Sequence, residues 1–253
     1  MPRISPYAVV EKTARLAEDV QVGAFCYIGP EVQIGAGCVI ESGATITGRT
    51  VLGEGNHVFP LAVIGAASPD ADEPGRCVLG EANAIREHVT IYSAAGRETA
   101  IGTDNLLMIA SVVGAGARIA DHGIFANATH VDAGAVVEDY VRTSSFVMIA
   151  PGATVGAYTM VVGYTGVDRY APPFSMVQGY PMRVRGVNTE NLKRCGFGQD
   201  DIRAIKAAFR ELFNGTAEFA GEKVLSRMLS DDNVHIRRLA EAVRRGETGR
   251  RSK

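Results

Sequence analysis

The sequence contains five histidines, and one of them has neighbours that suit acid–base chemistry. His130 is flanked by Asn127, Thr129 and Asp132, whose side-chain oxygens can accept a hydrogen bond from an imidazole and fix its orientation. A positioned imidazole that takes a proton from an attacking group is typically worth about 10² to 10⁴ in rate. His130 is therefore a candidate general base or substrate ligand, and a polar contact between copies of the chain is the alternative interpretation.

The remaining metal-ligating residue types show no pattern that would hold a metal. The intervals among His88, His122 and His130 do not match a zinc ligand set, and the four cysteines lack metal-like or disulfide-framework spacing. We therefore predict no bound metal or cofactor. We expect the cysteines to be reduced, with Cys26 and Cys38 pointing into a core.

Length and composition allow one elongated domain with a small appendage, because 253 residues with 46% hydrophobic content can bury a sizeable core. The formal net charge of -2 provides no overall basic field for nucleic acid. No run approaches the roughly 20 apolar residues of a membrane span, and residues 1–5 lack the apolar core of a signal peptide. These features predict a cytoplasmic protein with no membrane span.

The main signal is an aliphatic residue at every sixth position, commonly followed by glycine. A period of six is typical of the flat faces of a parallel β-helix, with the aliphatic side chain pointing inward and a corner after it. The predicted inward positions are Val22, Ile28, Ile34, Ile40, Ile46, Leu52, Val58 and Ile64, then Leu79, Ile85 and Ile91, then Ile101, Leu107, Val113, Ile119, Phe125, Val131, Val137, Thr143, Ile149, Val155, Val161 and Val167.

Three six-residue repeats make one coil, which is one complete turn of the β-helix and contains about 18 residues. Residues about 18 apart in sequence therefore become vertical neighbours in adjacent coils, roughly 4.8 Å apart. His130 precedes the inward Val131, so we expect its side chain to point outward, one coil above Val112. His122 follows Ile119 by three residues, which predicts a corner with a solvated or interface role.

Interruptions of the repeat and its end define the predicted domains. Two loops, at 66–78 and 93–100, absorb changes of phase, and the first is rich in turn formers such as Pro69 and Pro74. Because Pro172, Pro173 and Pro181 lack a backbone donor, we expect the β-helix proper to end near Val167. The predicted β-helical domain covers 1–188, with an exit segment at 168–188.

Apolar residues with the spacing of an α-helix begin after the acidic segment 199–201. One helix is predicted through Ile202, Ile205, Phe209 and Leu212, with a stop at 214–215, and a second helical stretch runs through 225–243. The predicted helical domain covers 189–246, and 247–253 is predicted to be a frayed tail.

Three stretches carry a resemblance to a known family. They are Ile85-Arg86-Glu87-His88-Val89-Thr90-Ile91, Asp104-Asn105-Leu106-Leu107-Met108-Ile109, and Gly186-Val187-Asn188-Thr189-Glu190-Asn191-Leu192-Lys193-Arg194. They resemble the bacterial acyl-ACP:UDP-N-acetylglucosamine O-acyltransferase family of lipid A synthesis, and the similarity covers nearly the whole chain. The last stretch, followed by Gly196-Phe197, is much more specific than the hexapeptide repeat.

The resemblance implies a mainly β fold, a left-handed parallel β-helix with a small C-terminal α-helical domain. It also implies a homotrimer whose active sites lie between neighbouring subunits. The implied activity is acyl transfer from acyl-ACP or acyl-CoA to a nucleotide-sugar-like or other polar acceptor, either a hydroxyl or an amine.

Several positions match the family's binding residues. Asn188, Glu190 and Arg194 match positions that contact the nucleotide, and Gly163 matches a position that limits acyl-chain length. Asp70 matches a substrate-contacting aspartate in a shortened loop. Tyr158, Tyr164 and His122 are further candidates for contacts to the substrate.

Other positions depart from the family's pattern. Ala115 stands where the family carries its general-base histidine, and Val112, Gly134, Ala150 and Pro181 also replace histidines. Cys195 replaces the second of two tandem arginines. His130 is the predicted replacement for the missing base, with Tyr158 and Tyr164 as possible sources of hydroxyl groups.

Two functional hypotheses follow from these matches and departures. The first is an acyltransferase with an altered active site, to which an acidic acyl carrier protein docks on a basic surface. The side chains that could form that surface are Arg183, Arg185, Lys193, Arg194, Lys206 and Arg210. The second is a catalytically silent or repurposed relative that binds a ligand or partner in the ancestral cleft, because the fold alone does not establish activity.

Overall fold

The protein is described here by a computed structural model that covers residues 1–213 and 222–251, with side chains of the second range through residue 245. Within these residues, short strands wind into a long parallel β-helix, and helices follow at the C-terminal end. The prediction of a mainly β fold built as a parallel β-helix with a C-terminal helical part is confirmed.

Most strands are two residues long, and longer ones flank the two loops and the exit from the coil. In chain order, the strands of the described residues are β1 Arg3–Ile4, β2 Val9–Val10, β3 Arg15–Leu16, β4 Gln21–Val22, β5 Tyr27–Ile28, β6 Gln33–Ile34, β7 Val39–Ile40, β8 Thr45–Ile46, β9 Arg49–Leu52, β10 His57–Val58, β11 Val63–Ala67, β12 Arg76–Leu79, β13 Ala84–Ile85, β14 Thr90–Ser93, β15 Glu98–Ile101, β16 Leu106–Leu107, β17 Val112–Val113, β18 Arg118–Ile119, β19 Ile124–Phe125, β20 His130–Val131, β21 Val136–Val137, β22 Arg142–Thr143, β23 Met148–Ile149, β24 Thr154–Val155, β25 Met160–Val161, β26 Gly166–Val167, β27 Ser175–Gln178 and β28 Arg183–Val187.

The strands lie in three sheets that form the sides of a triangular prism. The first sheet runs β1-β4-β7-β10-β13-β16-β19-β22-β25-β27-β28, the second β2-β5-β8-β11-β14-β17-β20-β23-β26, and the third β3-β6-β9-β12-β15-β18-β21-β24. Each strand pairs in parallel with the strand one coil away, so Val112 pairs with His130 and His130 with Met148. The predicted vertical neighbours are confirmed.

The interior of the prism consists of the aliphatic positions predicted from the six-residue period. Every one of them is buried, including Phe125 and Thr143, where the residue type departs from the aliphatic pattern. Cys26, Cys38 and Cys77 are also buried and free. Burial raises the pKa of the Cys77 thiol to about 12, because the thiolate would lose its hydration.

A column of buried asparagines runs along one inner edge of the prism. Asn83 donates through Nδ2 to Asn56 Oδ1 at 2.9 Å, and Asn105 donates through Nδ2 to Asn83 Oδ1 at 3.1 Å. Asn105 Nδ2 also donates to the carbonyl oxygen of Ala120. Buried amides are stable only when they are hydrogen-bonded, so this column keeps consecutive coils in register next to Asp104.

The prism has three corners, and each carries a different set of side chains. The open corner joins the first and second sheets and contains Tyr7, Phe25, Leu61, Phe146 and Tyr164. The glycine corner joins the second and third sheets and contains Gly116, Gly134 and Gly152. The covered corner joins the third and first sheets and contains Asp104, His122, Tyr140, Tyr158 and Phe174.

Both predicted loops are shorter than expected. Strand β11 extends to Ala67 and β12 begins at Arg76, so the first loop covers 68–75. Strand β14 extends to Ser93 and β15 begins at Glu98, so the second covers 94–97. The predicted loop boundaries were wrong because the strands on either side of each loop extend beyond the residues that follow the six-residue period.

The prediction that the coil ends near Val167 is also wrong. Strand β27 pairs in parallel with β25, so the first sheet continues, and the antiparallel β28 then closes it. Pro172 and Pro173 lie in the turn before β27, and Pro181 lies between β27 and β28. The prolines flank the ladder and remove no donor from it.

The described helices are α1 Thr189–Arg194, α2 Gln199–Phe213, α3 Glu222–Leu229 and α4 Val234–Arg251. The single helical stretch predicted over 225–243 is two helices, because Asn233 starts α4 by accepting from the His235 amide at 2.9 Å. Helix α4 continues through the predicted frayed tail as far as Arg251. The predicted stop at 214–215 and the tail residues 252–253 lie outside the described residues.

No described helix is long and apolar enough to cross a lipid bilayer.

Candidate active site

An aromatic column runs along the covered corner. The ring of His122 stacks on Tyr140 at 4.6 Å between centroids, Tyr140 on Tyr158 at 5.0 Å, and Tyr158 on Phe174 at 5.7 Å. These residues have φ angles between 57° and 64°. This left-handed backbone conformation makes the sharp turn at the corner of each coil, and it directs the four side chains outward in one column.

Residues of the C-terminal helical domain cover the upper part of this column, from the connection between α1 and α2 and from α4. Phe197 packs edge-on against Tyr158 at 5.0 Å, and the Arg238 guanidinium lies 5.9 Å from the centre of the same ring. Arg238 also pairs with Glu138 at 3.4 Å. Burial raises the pKa of the Tyr158 phenol. Tyr158, predicted as a substrate contact, therefore lies where it helps to hold the helices against the coil.

Helix α1 is attached to the covered corner by two asparagines. Asn188 caps the helix by accepting from the Asn191 amide at 3.4 Å, and its Nδ2 donates to the Tyr158 carbonyl at 2.9 Å. The buried Asn191 donates to the Tyr140 carbonyl at 2.9 Å and accepts from Arg142 Nε at 2.8 Å. The position of α1 is thereby fixed to two consecutive coils.

Two predicted nucleotide contacts project from α1 into solvent. Glu190 and Arg194 are both exposed, and Glu190 pairs with Lys193 at 3.1 Å. Cys195 follows as the C-cap, and burial raises the pKa of its thiol. The helix thus presents an acidic side chain at one end and basic side chains at the other, on a rigid support.

His122 is held by a carboxylate. Its Nδ1 lies 2.9 Å from Asp104 Oδ2, one coil away, while its ring lies flat on Tyr140. The backbone amide of His122 donates to the Thr103 carbonyl at 2.9 Å. The imidazole is therefore fixed by a hydrogen bond, a ring contact and its own backbone, and its Nε2 faces outward from the pair.

His130 points outward from the second sheet, as predicted, and its side chain is 49% exposed. Its Nε2 lies 4.0 Å from Asp132 Oδ1, which is too far for a hydrogen bond. Asn127 and Thr129 make no hydrogen bond to it in the described chain, and Thr129 is buried with its hydroxyl donating to the Ala126 carbonyl. The predicted orienting contacts are absent from the described residues.

The glycine corner contains the position where the resemblance places a general base. Ala115 is buried, and Gly116 has φ +74°. A Cβ on Gly116 would lie 3.3 Å from Cβ of Arg97, so the stem of this exposed arginine crosses the corner. The Gly116 amide donates to Thr99 Oγ1 at 2.9 Å. The aliphatic stem of an arginine therefore packs beside Gly116, next to the position where the family pattern has an imidazole.

Asp70 lies in the loop at 68–75, close to the glycine corner. Its Oδ1 accepts from Ser68 Oγ at 2.5 Å, and this hydrogen bond, helped by the charge of Arg97, holds the pKa of the exposed carboxyl below its usual value. The loop is tied to its neighbour because the Ala95 amide donates to the Glu73 carbonyl at 3.2 Å. Asp70 is therefore an ionised side chain held on an ordered loop.

Gly163 and Tyr164 lie at the open corner. A Cβ on Gly163 would meet the Ser145 carbonyl oxygen at 3.2 Å, tighter than an ordinary contact, so a side chain there would press on the neighbouring coil. Tyr164 is 79% exposed and stacks on Phe146 at 5.3 Å. Neither residue adjoins α1 within the single chain.

The single chain thus brings together only some of the predicted site residues. His122, Tyr158, Asn188, Glu190 and Arg194 belong to the covered corner and its helix, whereas His130, Asp70, Gly163 and Tyr164 lie on other parts of the prism. Among the described residues, no group of three or more His, Cys, Asp or Glu side chains could hold a metal ion.

Comparison with known proteins places this architecture in one family. A family model described as UDP N-acetylglucosamine O-acyltransferase, domain 2, matches residues 171–251, and one described as bacterial transferase hexapeptide (six repeats) matches residues 13–48. An acyl-[acyl-carrier-protein]–UDP-N-acetylglucosamine O-acyltransferase of Saccharophagus degradans is 35% identical over 257 residues, covering 98% of this chain and 99% of the relative. The chain belongs to this acyltransferase family.

Two further relatives agree with that assignment. The protein of the same description from Stutzerimonas stutzeri is 35% identical over 84% of this chain and 85% of its own length. A crystal structure of a UDP-N-acetylglucosamine acyltransferase from Bacteroides fragilis matches with a TM-score of 0.89 and 29% identity, covering 95% of this chain and 96% of that one. The family architecture therefore extends over nearly all of the chain.

Two features of the covered corner were not predicted from the sequence. His122 was not paired with Asp104, although their separation of 18 residues is one coil and was sufficient to predict the contact. The role of Asn191 was not predicted either, because its hydrogen bonds to the Tyr140 carbonyl and to Arg142 depend on where the helices lie.

Proposed function

We propose that this protein transfers an acyl group from an acyl carrier protein or coenzyme A thioester to a hydroxyl of UDP-N-acetylglucosamine or a similar nucleotide sugar. The observation that supports it best is α1. Its exposed Glu190 and Arg194 match the family's nucleotide contacts, and Asn188 and Asn191 fix the helix to the coil. A rigid support for charged side chains is what binding a nucleotide diphosphate requires.

The site would be completed by a second copy of the chain, in a homotrimer. The exposed large apolar side chains of the coil cluster on the open corner and the two sheets beside it. In the described residues they are Ile4, Tyr7, Val9, Phe25, Tyr27, Leu61, Ile109, Phe146, Met148, Tyr164, Met176 and Tyr180. The third sheet contributes none of them. An apolar surface of this extent on one side of a molecule marks a protein interface.

Three prisms that place their open corners on a common axis would bury this surface. The second sheet of one copy would pack against the first sheet of the next. At the outer end of each such contact, the glycine corner of one copy would lie opposite the covered corner of its neighbour. Asp70 and Arg97 of one copy would then face His122 and α1 of the other across a shared cleft, and His130 would lie within the contact between sheets.

The acyl carrier would dock on the basic surface predicted from the sequence. Arg183, Arg185, Lys193, Arg194, Lys206 and Arg210 are all exposed. Such a surface would attract an acidic carrier protein and speed its encounter. A cytoplasmic location is supported by the free, buried thiols Cys26, Cys38 and Cys77, which are typical of a reducing compartment.

The proposal is tested by following release of free thiol from acyl carrier protein and from coenzyme A, with UDP-N-acetylglucosamine as acceptor. The matched variants are Arg194→Ala on α1 and Arg203→Ala on α2, which both remove an exposed arginine. Because Arg203 pairs with Asp200 on its own helix and matches none of the family's nucleotide contacts, its loss should leave KM for the nucleotide sugar unchanged.

Arg194→Ala should raise KM for the nucleotide sugar by about 10-fold or more, because a hydrogen bond to a charged group contributes about 1.5 to 3 kcal/mol. Binding of nucleotide sugar without any thiol release from either carrier would contradict the proposed activity. Equal kinetics of the two variants would contradict the assignment of α1 to the nucleotide.

A further inference from the structure

We infer that His122 is the general base of the transfer reaction and that Asp104 positions it, so that the covered corner of one subunit supplies the base missing from the glycine corner of its neighbour. This inference rests on the proposed function and names the residue that carries its chemistry.

The geometry of the pair is that of an oriented base. Asp104 Oδ2 lies 2.9 Å from His122 Nδ1, so the carboxylate accepts the Nδ1 proton and leaves Nε2 as the basic nitrogen. Stacking on Tyr140 fixes the plane of the ring. The His122 side chain is 40% exposed in the single chain, so its free nitrogen remains accessible to a substrate.

The other histidine candidate lacks this arrangement. Asp132 stands 4.0 Å from His130 and makes no hydrogen bond to it, so nothing in the described chain selects the tautomer or orientation of that ring. At the glycine corner, Ala115 cannot exchange a proton. Of the three positions, only His122 combines an imidazole with a hydrogen-bonded carboxylate.

The position of the pair relative to α1 supports the same assignment. Asn191 and Asn188 attach α1 to the carbonyl groups of Tyr140 and Tyr158, which are the next two residues in the column above His122. Coils are roughly 4.8 Å apart, so a nucleotide held by α1 would place its sugar within a few coils of the imidazole.

The step is balanced without any further reagent. Nε2 of His122 takes the proton of the acceptor hydroxyl as its oxygen forms a bond to the thioester carbonyl carbon. The carbon–sulfur bond then breaks, and the leaving thiolate receives the proton from the imidazolium. Asp104 stays ionised and stabilises the positive charge on the ring.

The test compares kcat and KM of wild type, His122→Asn and Asp104→Asn with acyl carrier protein thioester and UDP-N-acetylglucosamine. The φ of +60° at His122 is one that asparagine tolerates, so the first variant should fold normally, and its thermal unfolding checks this. We expect kcat to fall by about 10² or more for His122→Asn with KM for the nucleotide sugar nearly unchanged. Asp104→Asn should lower kcat less, because the base remains but its orientation is lost.

A second variant separates chemistry from structure. Glycine also adopts a φ of +60° readily, so His122→Gly leaves an open space between Asp104 and Tyr140. Added imidazole should fill it and restore kcat in proportion to its concentration. A merely structural role of His122 would not show such rescue.

The matched control is His57→Asn. His57 Nε2 lies 2.6 Å from Glu41 Oε1, and its side chain is 41% exposed, so it is also an accessible imidazole–carboxylate pair. It lies on β10, three strands from β19 along the first sheet and far from α1. Its loss should leave kcat within about twofold of wild type, because β10 lies three coils away from His122.

The outcomes are distinct. A large loss of kcat in His122→Asn, rescue of His122→Gly by imidazole and normal activity of His57→Asn support the inference. Unchanged kcat in His122→Asn, or a large loss confined to His130→Gln, overturns it while the proposed function stands. Absence of turnover by the wild type with every carrier overturns the proposed function and the inference with it.

Discussion

The open corner and the covered corner of the prism are built by the same repeat and differ in what lies over them. Phe146 and Tyr164 stack at the open corner, and Tyr140 and Tyr158 stack at the covered corner, all with the same left-handed backbone. Phe174 continues the covered column and is fully buried, whereas Phe146 is 56% exposed. One corner is covered by the chain's own helices, and we propose that a second copy covers the other.

This difference shows how a β-helix built from one repeated unit acquires a functional site at one corner only. The repeat places a side chain at every corner of every coil, but it does not distinguish one corner from another. The helices do so, because Asn188, Asn191 and Phe197 attach at the covered corner. The charged side chains of α1 and the His122–Asp104 pair are therefore brought together by the element outside the repeat.

The largest effect is expected when the covered column is broken. Phe174→Ala should lower the free energy of unfolding by about 3 to 5 kcal/mol, as large truncations of buried phenylalanine do. Chemical denaturation followed by circular dichroism measures it. Val234→Ala, at an exposed position of α4, is the control and should change stability by less than about 0.5 kcal/mol. Equal losses for the two variants would show that the helices do not depend on this column.

At the open corner, Phe146→Asn should weaken association between copies and leave the fold of each chain intact. Asparagine tolerates the φ of 59° at this position, so the chain should still fold. The loss of an aromatic anchor from an interface weakens the free energy of association by about 2 kcal/mol or more, which raises the dissociation constant by more than about tenfold. Sedimentation velocity over a dilution series measures this shift. Arg118→Gln, on the third sheet, should leave association unchanged, and an equal effect of both variants would place the interface elsewhere.

A smaller effect is expected from the polar contacts that seat α4 on the covered corner. Arg238→Met keeps much of the side-chain length but removes the ion pairs to Glu138 and Asp139 at 3.4 and 3.8 Å. Because these groups are partly exposed, the cost should be about 0.5 to 1 kcal/mol. The cost should shrink at high salt, as measured by denaturation at two ionic strengths. A cost that does not change with salt would indicate that packing on Tyr158 dominates.

The smallest effect concerns pH. Burial raises the pKa of the Tyr158 phenol, so the folded protein holds this proton at pH values where the unfolded chain has released it. The resulting contribution to stability is complete below the unfolded pKa of about 10 and is lost as the pH rises through the folded value. Tyr158→Phe should therefore make the decline in stability above about pH 10 shallower. An unchanged decline would mean that the helices leave this ring open to water.

The coil could be predicted from the sequence because its signal is local and repeated. A six-residue period places Val113, Val131 and Ile149 on one inner wall regardless of distant contacts, and all are buried. The end of the β-helix was mispredicted because a proline removes a backbone hydrogen-bond donor only at its own position in the chain. Pro173 and Pro181 flank β27 without interrupting it.

The candidate site was predicted less completely because it depends on which corner the helices cover. Asn188, Glu190 and Arg194 came from the family resemblance, and their roles remain predictions. The His122–Asp104 pair was not predicted, although the coil length of 18 residues was sufficient to place the two residues together, and its chemical meaning depends on the position of α1 on the same corner. His130 was favoured as the general base because of polar residues close to it in sequence. In the described part of the chain, none of these residues makes a hydrogen bond to its ring.

The most direct test is the mass of the wild-type protein in solution at micromolar concentration, measured by light scattering. We expect a mass three times the 26.8 kDa of the chain, because the exposed aromatic side chains of Phe146 and Tyr164 are proposed to be covered by other copies. The mass of a single chain would leave the open corner in water and contradict a site assembled from two subunits.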